Sequence, residues 1–460
     1  MPEPDRIADR KLATHVVEGG RLCAVLLELW QRTRMDWGFV TDRLATAFRR
    51  ESWIGSHERR FVSETLYGLV RHLRRIDAAL ARGRSTQRAP RDLERLLALL
   101  VLDGLIEPGR AAAACGELDW NAVAGIDEVI ARERKRVPRI ALAASLPDWL
   151  AARLAADWGD EAETLALALN RRAPMTVRAN LRIGDRDALA AELARVRIAT
   201  TPGRWCDTAL HLESRTNLFA LPAFTGGAME AQDEGSQLLA DLAAACAGGG
   251  AAPGLIVDLC AGAGGKTLAI AARLGNRGRI LSADIDARKL EELRRRARRA
   301  GVTSARAVHL DGGRWPAELD ALRGKADVVL VDAPCSGIGA LRRNPEARWR
   351  LREADLADFA ARQKEILGGA RNLLAPGGRL VYATCTLLAI ENADVVREVV
   401  AADVVRPELA PVPLTEILGD RARELGDGHA FTVTPHHHGT DGFYARVMRR
   451  VDGGIAHASR

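Results

Sequence analysis

The sequence predicts a multidomain protein of three parts: an all-α N-terminal domain, a small α+β segment and a C-terminal α/β domain with a parallel sheet. Apolar residues recur at helical spacing through the first part, whereas strands and helices alternate in the last. Between them, Met175–Leu181 alternates in the manner of a half-buried strand. We place the parts at 1–140, 141–228 and 229–450, followed by a flexible tail at 451–460.

Composition and charge narrow the class of protein. The chain carries 67 Lys and Arg against 60 Asp and Glu, and this net charge of +7 favours a polyanionic partner such as nucleic acid. An arginine-rich genome would produce the same bias. No apolar run is long enough to span a membrane, and the charged segment Met1–Arg6 precedes no apolar core, so we expect neither a transmembrane helix nor a signal peptide. Seven scattered cysteines without zinc spacing predict free thiols in a reducing cytoplasm.

The N-terminal part combines amphipathic helices with a concentration of arginine. Apolar residues from Phe61 to Ile76 fall on one helical face, and those from Leu93 to Val101 do the same. Seven arginines crowd a helix end and the stretch after it: Arg71, Arg74, Arg75, Arg82, Arg84, Arg88 and Arg91. They form either a solvated surface or a phosphate-binding patch, and the sequence favours neither.

The C-terminal part predicts a parallel sheet with crossover helices. Its strands are predicted at Leu255–Cys260, Arg279–Asp284, Ala305–Leu310, Asp327–Asp332 and Leu380–Ala383. Its main helices are predicted at Gly265–Leu274, Ala287–Ala300 and Glu353–Leu374, and an antiparallel pair, Phe431–Thr434 and Phe443–Met448, closes the chain. Three histidines, His436–His438, follow the first strand of this pair. Because neighbouring side chains on a strand point to opposite faces, we predict no metal site there.

A small-residue loop, Val257–Thr267, joins the first strand of this part to a helix. Glycines let the backbone approach a ligand closely, and a helix N-terminus favours negative charge. Nucleoside phosphates and S-adenosylmethionine (SAM) are the two ligand classes that suit such a loop. Gly262 lies only two residues before Gly264, so the spacing of a phosphate-binding loop is not met. A tight turn without a ligand is the remaining alternative.

Acidic residues end three successive strands. Asp284 follows the glycine loop by about 20 residues, the place of an acid that accepts hydrogen bonds from ribose hydroxyls. Asp311 ends the next strand, where it would hold an adenine amino group, and Asp332 ends the fourth. Each aspartate alone is weak evidence because Asp is common in turns. Together they favour a nucleoside cofactor beyond the carboxyl edge of the sheet.

Two cysteines are delivered to the same edge. Cys335 follows Asp332 in a Pro-Cys-Ser-Gly turn, and Cys385 follows the fifth strand after Thr384. A single cysteine is usually a small buried apolar residue. Two of them at carboxyl ends of strands in one sheet favour catalysis.

The motifs together resemble the RsmB/Sun family of SAM-dependent RNA (cytosine-5)-methyltransferases. The resemblance rests on Asp258–Thr267, Asp332–Gly337, Tyr382–Cys385, Gln232–Gln237, Arg342–Trp349 and Gly439–Phe443. It implies a Rossmann-like SAM methyltransferase fold. Arg59–Gly68 resembles the NusB-like RNA-binding domain of bacterial members. Ala263 stands where the family usually has Pro, and we expect altered loop rigidity there rather than lost binding.

The resemblance also implies roles for individual residues. Cys385 is the nucleophile that adds to carbon 6 of cytosine, Cys335 assists release of the product, and Asp332 holds ring nitrogen 3 and the amino group. Lys266 orients the base or stabilises the thiolate. The implied cofactor-binding residues are Cys260, Ala261, Gly262, Ala263, Gly264, Gly265, Lys266, Asp284, Asp311 and Asp332.

Two runs of cations fit an RNA track. Arg342, Arg343, Arg348 and Arg350 follow the first cysteine and are predicted to hold phosphates near the target. Five arginines between Arg294 and Arg299 lie on the helix after the second strand, where a solvated helix face is an equal explanation.

Two alternatives remain open at this stage. Cys335 is the nucleophile if the chain works as DNA cytosine-5 methyltransferases do, whose Pro-Cys supplies the thiolate. The second alternative is a non-catalytic RNA-binding protein that acts as a ribosome-assembly or antitermination factor. The paired thiols and the acids favour the RNA methyltransferase, and the NusB-like segment favours ribosomal RNA as substrate. We expect a cytoplasmic monomer with no membrane or metal partner.

Overall fold

The computed structural model describes residues 9–85, 88–248, 254–311, 315–401 and 408–451. The N-terminal segment that argues against a signal peptide lies outside these ranges, as does the predicted tail beyond Val451. The chain forms two compact units: Met1–Arg172 with Ala340–Glu353, and Ala173–Gly339 with Ala354–Arg460. The three-part division at 140 and 228 stays a prediction. None of the helices among the described residues combines the length and apolar character needed to cross a membrane.

Helices build the first unit. They run over Arg10–Val17, Arg21–Asp36, Val40–Arg50, Ser56–Arg82, Asp92–Leu102, Pro108–Ala114, Trp120–Ala124, Ile126–Arg132, Arg136–Ala143, Asp148–Trp158, Ala162–Asn170 and Ala347–Arg350. Ser56–Arg82, the longest of these, buries the apolar face predicted between Phe61 and Ile76. Leu96, Leu97 and Leu100 of the neighbouring helix are also buried, so both amphipathic predictions are confirmed.

The arginine concentration of this unit is largely ion-paired. Arg84, Arg88 and Arg91 surround the buried Glu94, with Arg84 Nη2 2.5 Å from Glu94 Oε2 and Arg91 Nε 2.9 Å from Glu94 Oε1. Burial alone would raise the pKa of Glu94, but hydrogen bonds from Arg88 and Arg91 lower it to about 2. These three cations therefore compensate a buried acid, which supports a structural role for this part of the arginine concentration.

Residues Ala340–Glu353 follow Cys335 closely in the chain yet belong to the helical unit. Their anchor is Arg348, which is fully buried. Its Nη1 donates to Asn170 Oδ1 at 2.8 Å and lies within 3.3 Å of three backbone carbonyl oxygens of the same unit. Trp349 Nε1 donates to a further carbonyl oxygen at 2.7 Å. The prediction that Arg348 holds RNA phosphates is therefore wrong, because its guanidinium is occupied in fixing this segment.

Replacing Arg348 with methionine should destabilise the helical unit by about 3 kcal/mol, because buried carbonyl oxygens and Asn170 would lose a charged donor. Urea unfolding followed by tryptophan fluorescence measures the loss. Arg350→Met is the matched control, since Arg350 is exposed and lies two residues away. Equal unfolding midpoints for the two variants would contradict the anchoring role.

The second unit contains two sheets. The smaller is antiparallel in the order β2-β3-β1-β4, with β1 at Met175–Ala179, β2 at Thr200–Pro202, β3 at Ala209–Leu212 and β4 at Met229–Ala231. The helices Arg186–Arg195 and Pro222–Thr225 complete it. The strand predicted from Met175 is confirmed, whereas the short β2 and β4 carry no alternating signal of their own.

The larger sheet has the order β10-β12-β9-β8-β5-β6-β7, with β11 paired to β12. Its strands are β5 Leu255–Asp258, β6 Arg279–Asp284, β7 Ala305–His309, β8 Ala326–Asp332, β9 Leu374–Thr384, β10 Glu408–Pro411, β11 Phe431–Val433 and β12 Phe443–Val451. Its helices are Glu234–Cys246, Gly265–Arg273, Ala287–Arg299, Ala317–Asp320, Asp355–Ala370, Ala393–Ala401, Leu414–Leu418 and Pro435–His438. Strands β5 to β9 pair in parallel and β12 runs antiparallel to β9, as the alternation predicts.

Three local predictions need correction. Strand β9 begins at Leu374, six residues before the predicted start, and accommodates Pro376–Gly378 through a shift of register against β8. Strand β10 was not expected from the sequence pattern. His436–His438 lie in a helical turn and not on a strand. The strand argument against a metal there is therefore wrong, and the absence of a metal stays a prediction.

Candidate active site

The order of strands creates a crevice at the carboxyl edge of the larger sheet. Strand β5 lies between β6 and β8. The chain runs outward from β5 through β6 and β7, then crosses to β8 and β9 on the other side. In open α/β sheets, ligands bind where the strand order reverses in this way. The loops after β5 and β8 should therefore carry the ligand-binding residues.

The glycine loop after β5 is shaped by two residues with positive φ. Gly264 has φ +83°, and a Cβ there would lie 2.6 Å from Leu293 Cγ. Only glycine therefore allows the loop to pack on the helix Ala287–Arg299, which carries Leu293. Gly262 has φ +54°, and a Cβ there would meet no atom within 4 Å. The helix begins at Gly265. The open side at Gly262 is a place where the backbone can approach a ligand.

Neighbouring groups brace the same loop. Ala261 N donates to Ala283 O at 3.0 Å, and Arg296 Nη1 donates to Ala263 O at 2.8 Å. Arg296 also pairs with the buried Glu230 at 3.0 Å. Arg296 therefore positions the loop, a structural role that neither the RNA track nor the solvated helix face predicted for its arginine run. Cys260 is partly exposed at the start of the loop, and burial raises the pKa of its thiol.

The acids at the strand ends occupy different environments. Asp284 is buried, and its two carboxylate oxygens accept hydrogen bonds from Gly262 N and Asp286 N, both at 2.8 Å. It thereby links β6 to the glycine loop. Asp311 is exposed two residues beyond the end of β7. Their assignment to ribose and adenine stays a prediction.

Asp258, the last residue of β5, is a buried acid that the sequence did not single out. Its Oδ2 accepts from Thr267 Oγ1 at 2.7 Å, whereas Oδ1 has no hydrogen-bond partner among the described residues. Burial raises the pKa of this carboxyl to about 7. A buried acceptor beside a glycine loop fits a ligand that brings a cationic or hydrogen-bonding donor, as the amino group of SAM does.

Replacing Asp258 with asparagine should flatten the pH dependence of stability. The folded pKa of about 7 lies above the ordinary value of about 3.9, so the folded state binds the extra proton between these values. Wild-type stability should therefore fall as pH rises from about 4 to about 7, at about 1.4 kcal/mol per pH unit. The asparagine side chain does not titrate, so the Asp258→Asn variant should be more stable than the wild type at pH 8.

Thermal unfolding without SAM across this pH range measures the effect. Asp320→Asn, at an exposed carboxylate, is the control and should follow the wild-type profile. A slope unchanged by the Asp258 substitution would show that this carboxyl does not hold the proton.

Lys266 and Asp332 form an ion pair across the crevice. Lys266 Nζ lies 2.5 Å from Asp332 Oδ2 and 5.5 Å from the centre of the Phe443 ring. Burial would lower the pKa of Lys266, but attraction to Asp332 outweighs it and the pKa is raised. The pair brings a cation, a carboxylate and an aromatic face to one place, which suits recognition of a planar base.

The two predicted catalytic thiols are neighbours. Cys335 Sγ lies 3.4 Å from Cys385 Sγ, and both residues are partly exposed. The contact with Cys385, together with burial and the charge of Glu391, raises the pKa of Cys335 well above its ordinary value. Gly339 N donates to Cys385 O at 2.9 Å and links the two loops. The structure thus brings together Asp332, Lys266 and both cysteines.

Sequence reasoning missed a polar cluster behind the thiols. Glu391 and Asn392 are both buried, and they accept and donate hydrogen bonds around the loops that carry Cys335 and Cys385. An acid and an amide directly after the apolar stretch Leu387–Ile390 were the available signal. Glu391 forms hydrogen bonds with Ser336, which is 55 residues away in the chain, and no local sequence pattern indicates such a partner.

Comparison with known proteins identifies the family of the chain. Residues 252–449 match the family described as 16S rRNA methyltransferase RsmB/F, and residues 146–218 match the ferredoxin-like domain of RsmF/B-like methyltransferases. The probable ribosomal RNA small subunit methyltransferase B of Synechocystis sp. is 31% identical over 423 residues, covering 86% of this chain and 92% of the relative. The ribosomal RNA small subunit methyltransferase B of Xylella fastidiosa (strain Temecula1) is 34% identical over 349 residues, covering 73% and 78%.

Solved structures share the fold. A methyltransferase homolog protein from Pyrococcus horikoshii superposes with a TM-score of 0.56 at 25% identity, covering 68% of this chain and 99% of that one. NSun6 from the same organism, solved with the SAM analogue SFG, gives 0.55 at 20% identity, covering 66% and 97%. The chain therefore belongs to the RsmB/F (Sun) family of 16S ribosomal RNA methyltransferases, and its cofactor is SAM.

Proposed function

We propose that this protein methylates carbon 5 of a cytosine in small-subunit ribosomal RNA through a covalent bond between Cys385 and the base. The observation that carries the proposal is the pair of thiols 3.4 Å apart, next to the Lys266–Asp332 pair. Methylation of a nucleophilic oxygen or nitrogen needs no thiol, whereas carbon 5 of cytosine is a poor nucleophile and must first be activated by addition at carbon 6.

Residues at the carboxyl edge of the sheet would hold the cofactor. The loop Cys260–Lys266 would pass along it, with Asp284 at the ribose and Asp311 at the adenine. Asp258 Oδ1, for which the described residues provide no hydrogen-bond partner, would accept from the amino group of SAM. SAM supplies an electrophilic methyl group when bound.

The first step uses Cys385 and the ion pair. The target cytosine must leave its stack to enter the crevice. The Cys385 thiolate adds to carbon 6 while ring nitrogen 3 takes up a proton. That proton moves from Lys266 Nζ to the Asp332 carboxylate 2.5 Å away, which passes it to the ring nitrogen. The ring is then an enamine whose carbon 5 is nucleophilic and could take up a methyl group.

The second step restores the aromatic ring. A base removes the proton from carbon 5, the bond between carbon 6 and Cys385 Sγ breaks with the sulfur leaving as a thiolate, and ring nitrogen 3 returns its proton through Asp332 to Lys266. Cys335 is the group 3.4 Å from that sulfur. We assign it to assisting release, with its raised pKa keeping it protonated and able to hydrogen-bond the departing thiolate.

The remaining expectations join this proposal. We propose that the helical unit is a NusB-like RNA-binding domain, supported by the resemblance of Arg59–Gly68, which lies in the helix Ser56–Arg82. We further propose a monomer that acts in the cytoplasm, where reducing conditions keep the neighbouring thiols free.

Methylation of deproteinised 16S ribosomal RNA with labelled SAM tests the function. We expect label in 5-methylcytosine after digestion and mass analysis of nucleosides, and none with 23S ribosomal RNA as the control substrate. Label on another base or another atom of cytosine would overturn the carbon 5 assignment. Binding of the RNA without any methyl transfer would favour a non-catalytic ribosome-assembly factor.

A further inference from the structure

We propose that Glu391 and Asn392 are positioning residues that hold the two cysteine loops in register. They are adjacent in sequence, and each is hydrogen-bonded to the loop of a different cysteine. Their shared peptide unit therefore ties Cys335 to Cys385 at the spacing that the two-thiol reaction needs. This inference rests on the proposed function for its catalytic consequences, but the spacing of the thiols can be measured separately.

Glu391 fixes the loop of Cys335 from both sides. Its Oε2 accepts from Ser336 N at 2.8 Å and from Gln363 Nε2 at 3.1 Å, and its Oε1 accepts from Ser336 Oγ at 2.5 Å. Gln363 Nε2 also donates to Pro334 O at 2.9 Å. The backbone immediately before and immediately after Cys335 is thus held by one carboxylate and the amide that it orients.

Asn392 brackets Cys385 in the same manner. Thr384 Oγ1 donates to Asn392 Oδ1 at 2.5 Å, and Asn392 Nδ2 donates to Thr386 O at 3.1 Å. A direct bridge joins the two loops, because Ser336 Oγ lies 2.9 Å from Thr386 Oγ1. Ser336, Thr384 and Thr386, the polar residues next to the two cysteines, therefore belong to one hydrogen-bonded network.

The network is anchored and buried. Glu391 has no exposed surface and Asn392 is 5% exposed. Tyr382 Oη, on β9, donates to the backbone oxygen of Glu391 at 2.5 Å. A buried carboxylate is unfavourable unless several donors compensate for lost hydration, and here two of the three donated bonds come from Ser336 next to Cys335. An apolar side chain would fill this buried space at lower cost. The presence of a carboxylate at Glu391 therefore indicates that the residue positions the loops.

The two residues should affect opposite halves of the reaction. Glu391→Ala frees the Cys335 loop and should slow release, so that the covalent protein–RNA complex accumulates. Asn392→Ala frees the Cys385 loop and should slow attack, so that less complex forms. A displacement of about 1 Å in such groups lowers rates by about 10²-fold. A merely structural role would lower both steps together.

Conservative variants separate hydrogen bonding from charge. In Glu391→Gln, one oxygen can still accept from Ser336 N and Gln363 Nε2 while the amide donates to Ser336 Oγ, so release should be rescued. In Asn392→Asp, the second oxygen faces Thr386 O and repels it, so attack should stay slow. Glu398→Ala is the matched control, because Glu398 is an exposed acid on the following helix that pairs with Lys364.

The spacing of the thiols is measured without RNA or SAM by treatment with diamide, which takes two electrons and two protons as Cys335 and Cys385 form a disulfide. Peptide mass analysis quantifies this bond. Wild type, Glu391→Gln and Glu398→Ala should form it rapidly, and Glu391→Ala and Asn392→Ala several-fold more slowly.

Equal rates in all five proteins would overturn the positioning role, even if the enzyme methylates RNA as proposed. Slowed disulfide formation in a protein that methylates no RNA would sustain the positioning role and reject the proposed function. If the alanine variants fold poorly, the two conservative variants provide the test. Equal accumulation of the covalent protein–RNA complex by Glu391→Gln and Asn392→Asp would then contradict the proposal.

Discussion

Cys385→Ala should abolish both methyl transfer and the covalent complex with RNA, whereas Cys335→Ala should form the complex and fail to release it. Only the Cys385 sulfur is assigned to attack carbon 6, and loss of a covalent nucleophile lowers turnover on the order of 10⁴-fold or more. Because Cys335 is assigned to product release after methyl transfer, its loss should leave the first step intact. Because the two sulfurs are 3.4 Å apart, a difference between the two variants reports the role of each thiol and not its position.

Denaturing electrophoresis with labelled RNA measures the complex, and labelled SAM measures transfer. Cys246→Ala is the control, since Cys246 is a buried thiol of the same unit to which the proposed mechanism assigns no role. A covalent complex formed by Cys385→Ala would reverse the roles and make Cys335 the nucleophile.

Lys266→Met should lower the rate of complex formation by about 10²–10⁴-fold, the range for loss of a positioned acid–base group. In the proposed mechanism, the substitution removes the source of the proton that Asp332 passes to ring nitrogen 3, and it leaves the carboxylate without its partner at 2.5 Å. Asp332→Asn should cause a loss of similar size because an amide cannot relay that proton. Once one partner is gone, removing the other should cost little more, so the double variant should be far less impaired than the product of the single effects.

Single-turnover rates for wild type, Lys266→Met, Asp332→Asn and the double variant measure the coupling between the two residues. Lys364→Met, which breaks an exposed ion pair, is the control and should react like wild type. Additive losses would show that Lys266 and Asp332 act independently and would contradict the relay.

The same pair predicts a pH effect on stability. The pKa of Lys266 is raised in the folded state, so the ion pair stabilises the protein fully below the ordinary lysine value of about 10.4 and loses that contribution as pH rises through the folded pKa. The difference in stability between wild type and Lys266→Met should be constant from pH 6 to 9 and shrink above pH 10.

Local patterns in the sequence determined much of the larger sheet and the position of its ligand edge. The second strand was predicted at its observed limits, Arg279–Asp284, and the fourth within one residue of β8. Continuous apolar runs ending in acids identify buried parallel strands, and the spacing of Gly262 and Gly264 identifies the turn after β5. These signals are strong because each lies within one short segment of chain.

Tertiary structure alone decided which side chains meet. Arg348 became the anchor of a segment inserted into the helical unit, although its sequence context suggested a phosphate contact. Lys266 is paired with Asp332 across 66 residues, and Glu391 reaches Ser336 across 55. Sequence patterns report whether a residue faces a core or solvent, but the partner of a buried charge depends on how distant segments are brought together. The two cysteines could therefore be placed at one edge of the sheet from the sequence, whereas their 3.4 Å spacing follows from the packed fold.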